Sequence, residues 1–128
     1  MMTDKELLAA AAQARENSWC RYSHFAVGAA LLTEDGTLYT GCNIENAAYP
    51  LCTCAERTAL VKAVSEGHRR ITAIAIVGGA EGTAATEVCP PCGSCRQLLA
   101  EFADGALRVI LTDGSYTLDD LLPHRFSL

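Results

Sequence analysis

Residues 71–77 of the chain, Ile-Thr-Ala-Ile-Ala-Ile-Val, decide its fold class. This stretch is apolar at every position but one, a pattern typical of a central strand that is covered on both faces of its sheet. The spacing of apolar residues predicts a helix before it, from about Thr53 to Gly67, and Pro91 suits the first position of another helix after it. Because helices and buried strands alternate along the chain, the sequence predicts an α/β fold.

The segments on either side extend this pattern. Thr3 and Glu6 match a capping box, so a first helix is predicted to run from there to about Asn17. Four more strands are predicted at residues 25–33, 38–44, 108–112 and 115–118, and a last helical turn at 119–122. The expected architecture is a three-layer αβα fold, a mixed five-stranded sheet with helices on both faces. The 128 residues fit a single domain spanning 1–128.

Composition and charge restrict the partners of the protein. Half of the residues are hydrophobic and one fifth are charged, as in a globular protein. The 10 Lys and Arg residues against 15 Asp and Glu residues give a net charge of −5, so a nucleic-acid partner, which requires concentrated positive charge, is disfavoured. No apolar stretch approaches the ~20 residues of a membrane span, and the first residues lack the layout of a signal peptide. A cytoplasmic location without membrane contact is therefore expected.

The seven cysteines point to metal or redox chemistry. Their number is odd, and no export signal precedes them, which argues against a framework of disulfides. Cys92 and Cys95 form a C-x-x-C pair, and 37 residues separate Cys54 from Cys92. All three lie at predicted helix starts, where the helix dipole favours thiolate over thiol. Three thiolates from two helix ends predict a zinc site whose fourth position is open, as in catalytic rather than structural sites.

Glu56 supplies the second element of the predicted site. It follows Cys54 by two residues, close enough to a metal to act as general base and then as general acid. Cys-Ala-Glu followed by Pro-Cys-x-x-Cys matches the known signature of zinc deaminases, with cysteine in place of the first histidine.

Over nearly its whole length the chain resembles the small, tetrameric cytidine deaminase family. The matching stretches are residues 22–25, 27–30, 41–47, 54–59, 91–97 and 121–123. The resemblance implies a hydrolase of pyrimidine salvage that converts cytidine or deoxycytidine and water into uridine or deoxyuridine and ammonia. It also implies a homotetramer whose active sites are shared between subunits.

The resemblance assigns a role to each matching residue. Cys54, Cys92 and Cys95 would hold one Zn²⁺ per chain, and Glu56 would shuttle the proton. The implied substrate contacts are Phe25, Asn43, Glu45, Tyr49, the backbone of Ala55, and Phe126. Tyr49 and Phe126 would reach the site of a neighbouring subunit. Arg57 is the candidate for offsetting the excess negative charge of three thiolates around one Zn²⁺.

Several alternatives stay open at the level of sequence. Thr53 and Glu56 also match a capping box, which would make Glu56 a helix cap. Cys52 would be the fourth thiolate if the zinc site were closed, and the protein would then be a structural zinc module that binds a protein partner. Asn43 and Glu45 are also suited to turn hydrogen bonds. A related deaminase acting on another aminopyrimidine, such as blasticidin S, is the second enzymatic interpretation.

Overall fold

A computed structural model describes residues 2–128, which form a five-stranded sheet between two layers of helices. The strands are β1 (Phe25–Thr33), β2 (Leu38–Cys42), β3 (Ile71–Ala80), β4 (Arg108–Leu111) and β5 (Gly114–Thr117). The helices are α1 (Asp4–Arg15), α2 (Ala55–Ser65), α3 (Gly93–Glu101) and the single turn α4 (Leu118–Leu121), with a short 3-10 helix at Tyr49–Leu51. None of the helices in residues 2–128 has the length and apolar character of a membrane-spanning segment.

The sheet is mixed, as the sequence predicts, and its order is β2-β1-β3-β4-β5. The strands β3 and β4 are parallel, whereas the other neighbouring pairs are antiparallel. Side chains of β3 alternate between the two layers: Ile74 and Ile76 pack in the core beneath α2 and α3, whereas Ala75 and Val77 pack in the core beneath α1. The predicted central strand and the helices on both faces are thereby confirmed.

The strand β3 is longer than the sequence predicts. The prediction ended it at Val77, because two glycines follow, but Gly78 and Gly79 stay paired with β1. Gly78 is needed for close packing rather than for a turn. A Cβ atom there would lie 2.6 Å from the sulfur of Cys89 and 3.1 Å from a ring carbon of Phe25.

Three helices also begin one or two residues away from their predicted starts. The helix α2 begins at Ala55 with Cys54 as its N-cap, and α3 begins at Gly93 with Cys92 as its N-cap. Pro91 therefore precedes the cap and is not the first helical residue. The capping box of Thr3 and Glu6 is present as predicted. At the other end of the chain, an unpredicted capping box of Thr117 and Asp120 starts α4 at Leu118, one residue before the predicted turn.

Gly41 determines how closely α2 approaches the sheet. A Cβ atom at this position would lie 2.7 Å from the carbonyl oxygen of Ala55 and 2.7 Å from the amide nitrogen of Ala59. Both are backbone atoms, which cannot move aside as a flexible side chain can. The absence of a side chain at Gly41 therefore lets the first turn of α2 lie directly on β2.

Substituting Gly41 by alanine should displace α2. We expect Gly41→Ala to lower the free energy of unfolding by about 1–3 kcal/mol, the usual cost of overpacking. Gly93→Ala is the matched control, because nothing lies within 4 Å of a Cβ atom there. Chemical denaturation of the metal-free proteins measures both. Equal stability of Gly41→Ala and the parent would show that α2 does not depend on this close approach.

Candidate active site

The N-termini of α2 and α3 bring three cysteines together. Cys54 and Cys92 are the N-caps of the two helices, in extended backbone conformation, and Cys95 lies in the first turn of α3. Their three sulfur atoms all lie within 4.8 Å of one another. The predicted convergence of these residues is confirmed.

This set of donors fits zinc. Zn–S bonds of about 2.3 Å in a tetrahedral site place neighbouring sulfurs about 3.8 Å apart, which the observed cluster can meet with small side-chain shifts. Among residues 2–128, no fourth His, Cys, Asp or Glu joins the cluster. The sulfur of Cys52 is instead hydrogen-bonded to the backbone of Asn46, with its amide nitrogen at 3.3 Å and its carbonyl oxygen at 3.6 Å. The closed four-thiolate alternative is thus not formed in this structure.

The sulfurs are close enough to influence one another's protonation. A hydrogen bond from the Cys95 thiol lowers the pKa of Cys54 to about 6, against the opposing effect of burial. The positive charge of Arg57 contributes in the same direction. The same hydrogen bond to Cys54, together with burial, raises the pKa of Cys95. The hydrogen bond between these two residues therefore favours the thiolate on Cys54 over a thiolate on Cys95.

Arg57 is exposed at the start of α2. In the described part of the chain its side chain makes no hydrogen bond to a cysteine sulfur, so here it acts on the cluster as a nearby charge.

Glu56 is buried beside the cluster. Only 5% of its surface is exposed, and burial raises the pKa of its carboxyl group. It lines a cavity of about 250 Å³ together with Cys54 and Cys92. The alternative role as a helix cap is not realised, because Cys54 is the N-cap of α2 and the hydroxyl of Thr53 lies near the carbonyl of Leu51.

Asn43 lies at the rim of the same cavity. Its amide oxygen accepts a hydrogen bond from the backbone of Val27 at 2.9 Å, and its amide nitrogen donates to the carbonyl of Phe25 at 2.8 Å. A primary amide carries two N–H donors, so one remains to bind a ligand. Asn43 therefore combines a structural role with a position at the cavity.

Glu45 also lines the cavity and is fixed as a carboxylate. One of its oxygens accepts hydrogen bonds from the backbone amides of Tyr22 and Ser23, both at 3.0 Å, and the other accepts from the Ser23 hydroxyl. The hydrogen bonds from Ser23, its hydroxyl first, lower the pKa of Glu45. Ser23 was not among the predicted site residues. The sequence could have pointed to Ser23, because it lies beside Tyr22 in residues 22–25, one of the stretches on which the family resemblance rests.

The remaining predicted substrate contacts fall into two groups. Ala55 lines the cavity, and the ring of Phe25 lies beside Gly78 and Cys89 just outside it. Tyr49 and Phe126 do not line the cavity of their own chain, and their exposed fractions are 73% and 68%.

Comparison with known proteins identifies the family. Residues 1–111 match the model of the cytidine and deoxycytidylate deaminase zinc-binding region. A cytidine deaminase from Sporosarcina psychrophila is 49% identical, over 98% of this chain and 93% of the relative. The crystal structure of cytidine deaminase from Burkholderia pseudomallei superposes with a TM-score of 0.87 at 46% identity, covering 98% of this chain and 100% of that one.

The chain belongs to the cytidine deaminase family. It is therefore an enzyme of the hydrolase class, and its metal is zinc, one ion per chain, for which Cys54, Cys92 and Cys95 are positioned. A blasticidin-S deaminase from Bacillus cereus is a more distant relative, 30% identical over 79% of this chain and 76% of the relative.

Two further residues support the site and were not predicted. Arg96 donates one hydrogen bond to the carbonyl of Pro91 at 2.7 Å and another to the carbonyl of Leu121 at 2.6 Å, so it holds the segment before Cys92. Cys89 lines the cavity, and burial raises its pKa to about 11, which keeps it a neutral thiol. Arg96 could have been singled out from the sequence, because it lies in residues 91–97, one of the stretches on which the family resemblance rests. For Cys89, only its position close to Pro91 pointed to the site.

The geometry of the cluster predicts its ligand set. We expect about one zinc per chain with three sulfur ligands and one lighter ligand by X-ray absorption. Cys92→Ser should lose most of the zinc, because it removes one of the three sulfurs. Cys52→Ser is the matched control and should keep it, since Cys52 lines the cavity but lies outside the cluster. Four sulfurs in the spectrum, or loss of zinc from Cys52→Ser, would contradict this ligand set.

Proposed function

We propose that this enzyme hydrolytically deaminates free cytidine and deoxycytidine, which gives uridine or deoxyuridine and ammonia. The observation that carries the proposal is the buried carboxyl group of Glu56 in the same cavity as three converging cysteines. When bound, zinc supplies a Lewis acid that makes water acidic enough to serve as the nucleophile near neutral pH.

In this mechanism Glu56 moves the protons. Its carboxylate accepts a proton from the attacking water and delivers it to N3 of the pyrimidine as C4 is attacked. The carboxylate then accepts the proton of the new hydroxyl group on C4 and delivers it to the amine, so that the C4–N bond breaks, ammonia leaves and the C4 carbonyl of the uracil ring forms. A carboxyl group with a raised pKa suits both directions of transfer, because the proton is held neither too weakly nor too strongly near neutral pH.

The rim of the cavity would hold the nucleoside. We assign the ribose hydroxyls to the amide of Asn43 and the carboxylate of Glu45, the pyrimidine edge to the backbone of Ala55, and packing beside the nucleoside to Phe25. Since Glu45 is an anion at the rim, the site favours an uncharged nucleoside over a nucleotide or a polynucleotide, whose phosphates it would repel.

Charge balance is the proposed role of Arg57. Three thiolates around Zn²⁺ leave a net charge of −1, which weakens the metal as a Lewis acid. The N-termini of α2 and α3 contribute partial positive charge, and Arg57 adds a full one beside Cys54. We also propose the cytoplasm as the working compartment, since none of the seven cysteines, all of them in the described residues, forms a disulfide, and unpaired cysteines persist in reducing surroundings.

Replacing the carboxyl group of Glu56 by an amide tests its role in proton transfer. Glu56→Gln should keep the fold and the zinc but reduce turnover of cytidine by at least about 10²–10⁴-fold, the usual contribution of general acid–base catalysis. Glu66→Gln, at the other end of the same helix, is the control and should keep normal turnover. The decrease in cytidine absorbance measures both. Near-normal turnover by Glu56→Gln would remove Glu56 from the mechanism.

The blasticidin-S relative makes a second aminopyrimidine a specific alternative. A panel of cytidine, deoxycytidine and blasticidin S separates the two. We expect kcat/KM to be highest for one of the nucleosides, and a preference for blasticidin S would overturn the nucleoside assignment.

We further propose a homotetramer in which each active site is shared between chains. Among residues 2–128, no aromatic side chain lines the cavity, although nucleobases commonly stack on aromatic rings. Tyr49 and Phe126 are aromatic and exposed on their own chain. A neighbouring chain that supplied them would cover both the cavity and the exposed rings.

Mixed assemblies test this sharing. Glu56→Gln chains and Phe126→Ala chains are denatured, mixed in equal amounts and refolded together. If Phe126 acts on a neighbour, about one quarter of the sites combine an intact Glu56 with an intact Phe126, and activity rises above the mean of the parents.

The control mixture contains Phe126→Ala chains and chains that carry both substitutions. It cannot restore a complete site and should show no increase. If the first mixture also never exceeds the mean of its parents, although Phe126→Ala alone lowers activity, then Phe126 serves its own chain.

A further inference from the structure

Gln97 connects the helix of the zinc site to the C-terminal tail, defined here as residues 122–128. It lies in α3, two residues after Cys95, and its side-chain nitrogen donates a hydrogen bond to the backbone carbonyl of Phe126 at 3.1 Å. We propose that Gln97 is a positioning residue that holds the tail so that the ring of Phe126 enters the active site of a neighbouring chain. This inference rests on the proposed sharing of sites.

The tail and the residue before it are fastened to the body of the protein by three hydrogen bonds. Arg96 donates to the carbonyl of Leu121, directly before the tail, and Arg125 of the tail donates to the carbonyl of Ala103 at 3.2 Å. Gln97 makes the third bond, at Phe126 itself. The tail also contains His124 at a φ of 53°, a left-handed conformation that non-glycine residues seldom adopt. The path of the tail is thus set by its attachments.

The attachment holds the backbone of Phe126 and leaves most of the residue exposed on its own chain. The ring lies on an open hollow shared with Gln97, Ala100 and Glu101, and 68% of the residue is exposed. A large apolar ring gains little from such a position in an isolated chain. A fixed backbone with an outward ring is what insertion into a neighbour requires, because the tail then loses little conformational entropy on contact.

The bond to Gln97 can be altered separately from the ring. Gln97 donates to a backbone carbonyl, which every residue at position 126 retains. Phe126→Ala therefore removes the ring and keeps the bond, whereas Gln97→Met removes the bond and keeps the ring, with little change in side-chain volume.

The first experiment measures cytidine kinetics of zinc-loaded single variants. Gln97→Met should raise KM about 3–10-fold, the range for loss of one ordinary hydrogen bond, and change kcat less than about twofold. Gln97→Lys keeps a donor at the end of a flexible side chain and should restore most of the affinity. Glu101→Gln is the control, since Glu101 lines the same hollow without binding the tail, and it should match the parent. Zinc content should be equal in all four proteins.

The second experiment repeats Gln97→Met in the Phe126→Ala background. If Gln97 acts through Phe126, it should cause no further rise in KM once the ring is gone. An equal rise in both backgrounds would overturn the proposal, because it would show a general effect on α3. So would an unchanged KM for Gln97→Met when Phe126→Ala is impaired. If Phe126→Ala itself has normal kinetics, the proposed contribution of Phe126 to a shared site fails, and the role of Gln97 fails with it.

Discussion

The N-termini of α2 and α3 meet closely enough for three cysteine sulfurs to lie within 4.8 Å of one another. This convergence depends on packing away from the sulfurs themselves. The lack of a side chain at Gly41 lets α2 lie directly on β2, and the hydrogen bond from Arg96 to the carbonyl of Pro91 holds the segment that leads into Cys92. Beneath both helices, Ile74 and Ile76 of β3 form a common core. A metal site built in this way is fixed by the layers of the fold rather than by a flexible loop.

The same convergence sets the electrostatics of the site. Thiolates at helix N-termini are stabilised by the partial positive charge of the helix ends, which here also offsets part of the negative charge that three thiolates bring to zinc. Burial raises the pKa of the Glu56 carboxyl group, whereas the pKa of Cys54 is lowered. The start of α2 therefore carries both a stabilised thiolate at Cys54 and a carboxyl group suited to proton transfer. Two neighbouring acids thus have opposite pKa shifts, the Cys54 thiol through its hydrogen bond with Cys95 and the Glu56 carboxyl group through burial, as different roles in one reaction require.

Much of this could be predicted from sequence because the deciding patterns are local. The apolar run of β3, the cap of α1 and the spacing of Cys92 and Cys95 each report on a single element, and all agree with the structure. The continuation of β3 through Gly78 was missed, because a glycine needed for close packing cannot be distinguished in sequence from one that ends a strand. The fastening of the tail was missed for another reason. Arg96 and Gln97 donate to distant backbone carbonyls, which every residue has, so the identity of the accepting residues does not predict these hydrogen bonds.

We propose that the cluster of cysteines and Glu56 form one hydrolytic centre that releases ammonia from cytidine. The decisive experiment measures ammonia and uridine together, with the protein as purified, after removal of zinc by a chelator, and after zinc is restored. We expect equal amounts of the two products, loss of both when zinc is removed, and recovery of both on its return. A fully zinc-loaded, folded protein that releases no ammonia from cytidine or deoxycytidine would contradict it.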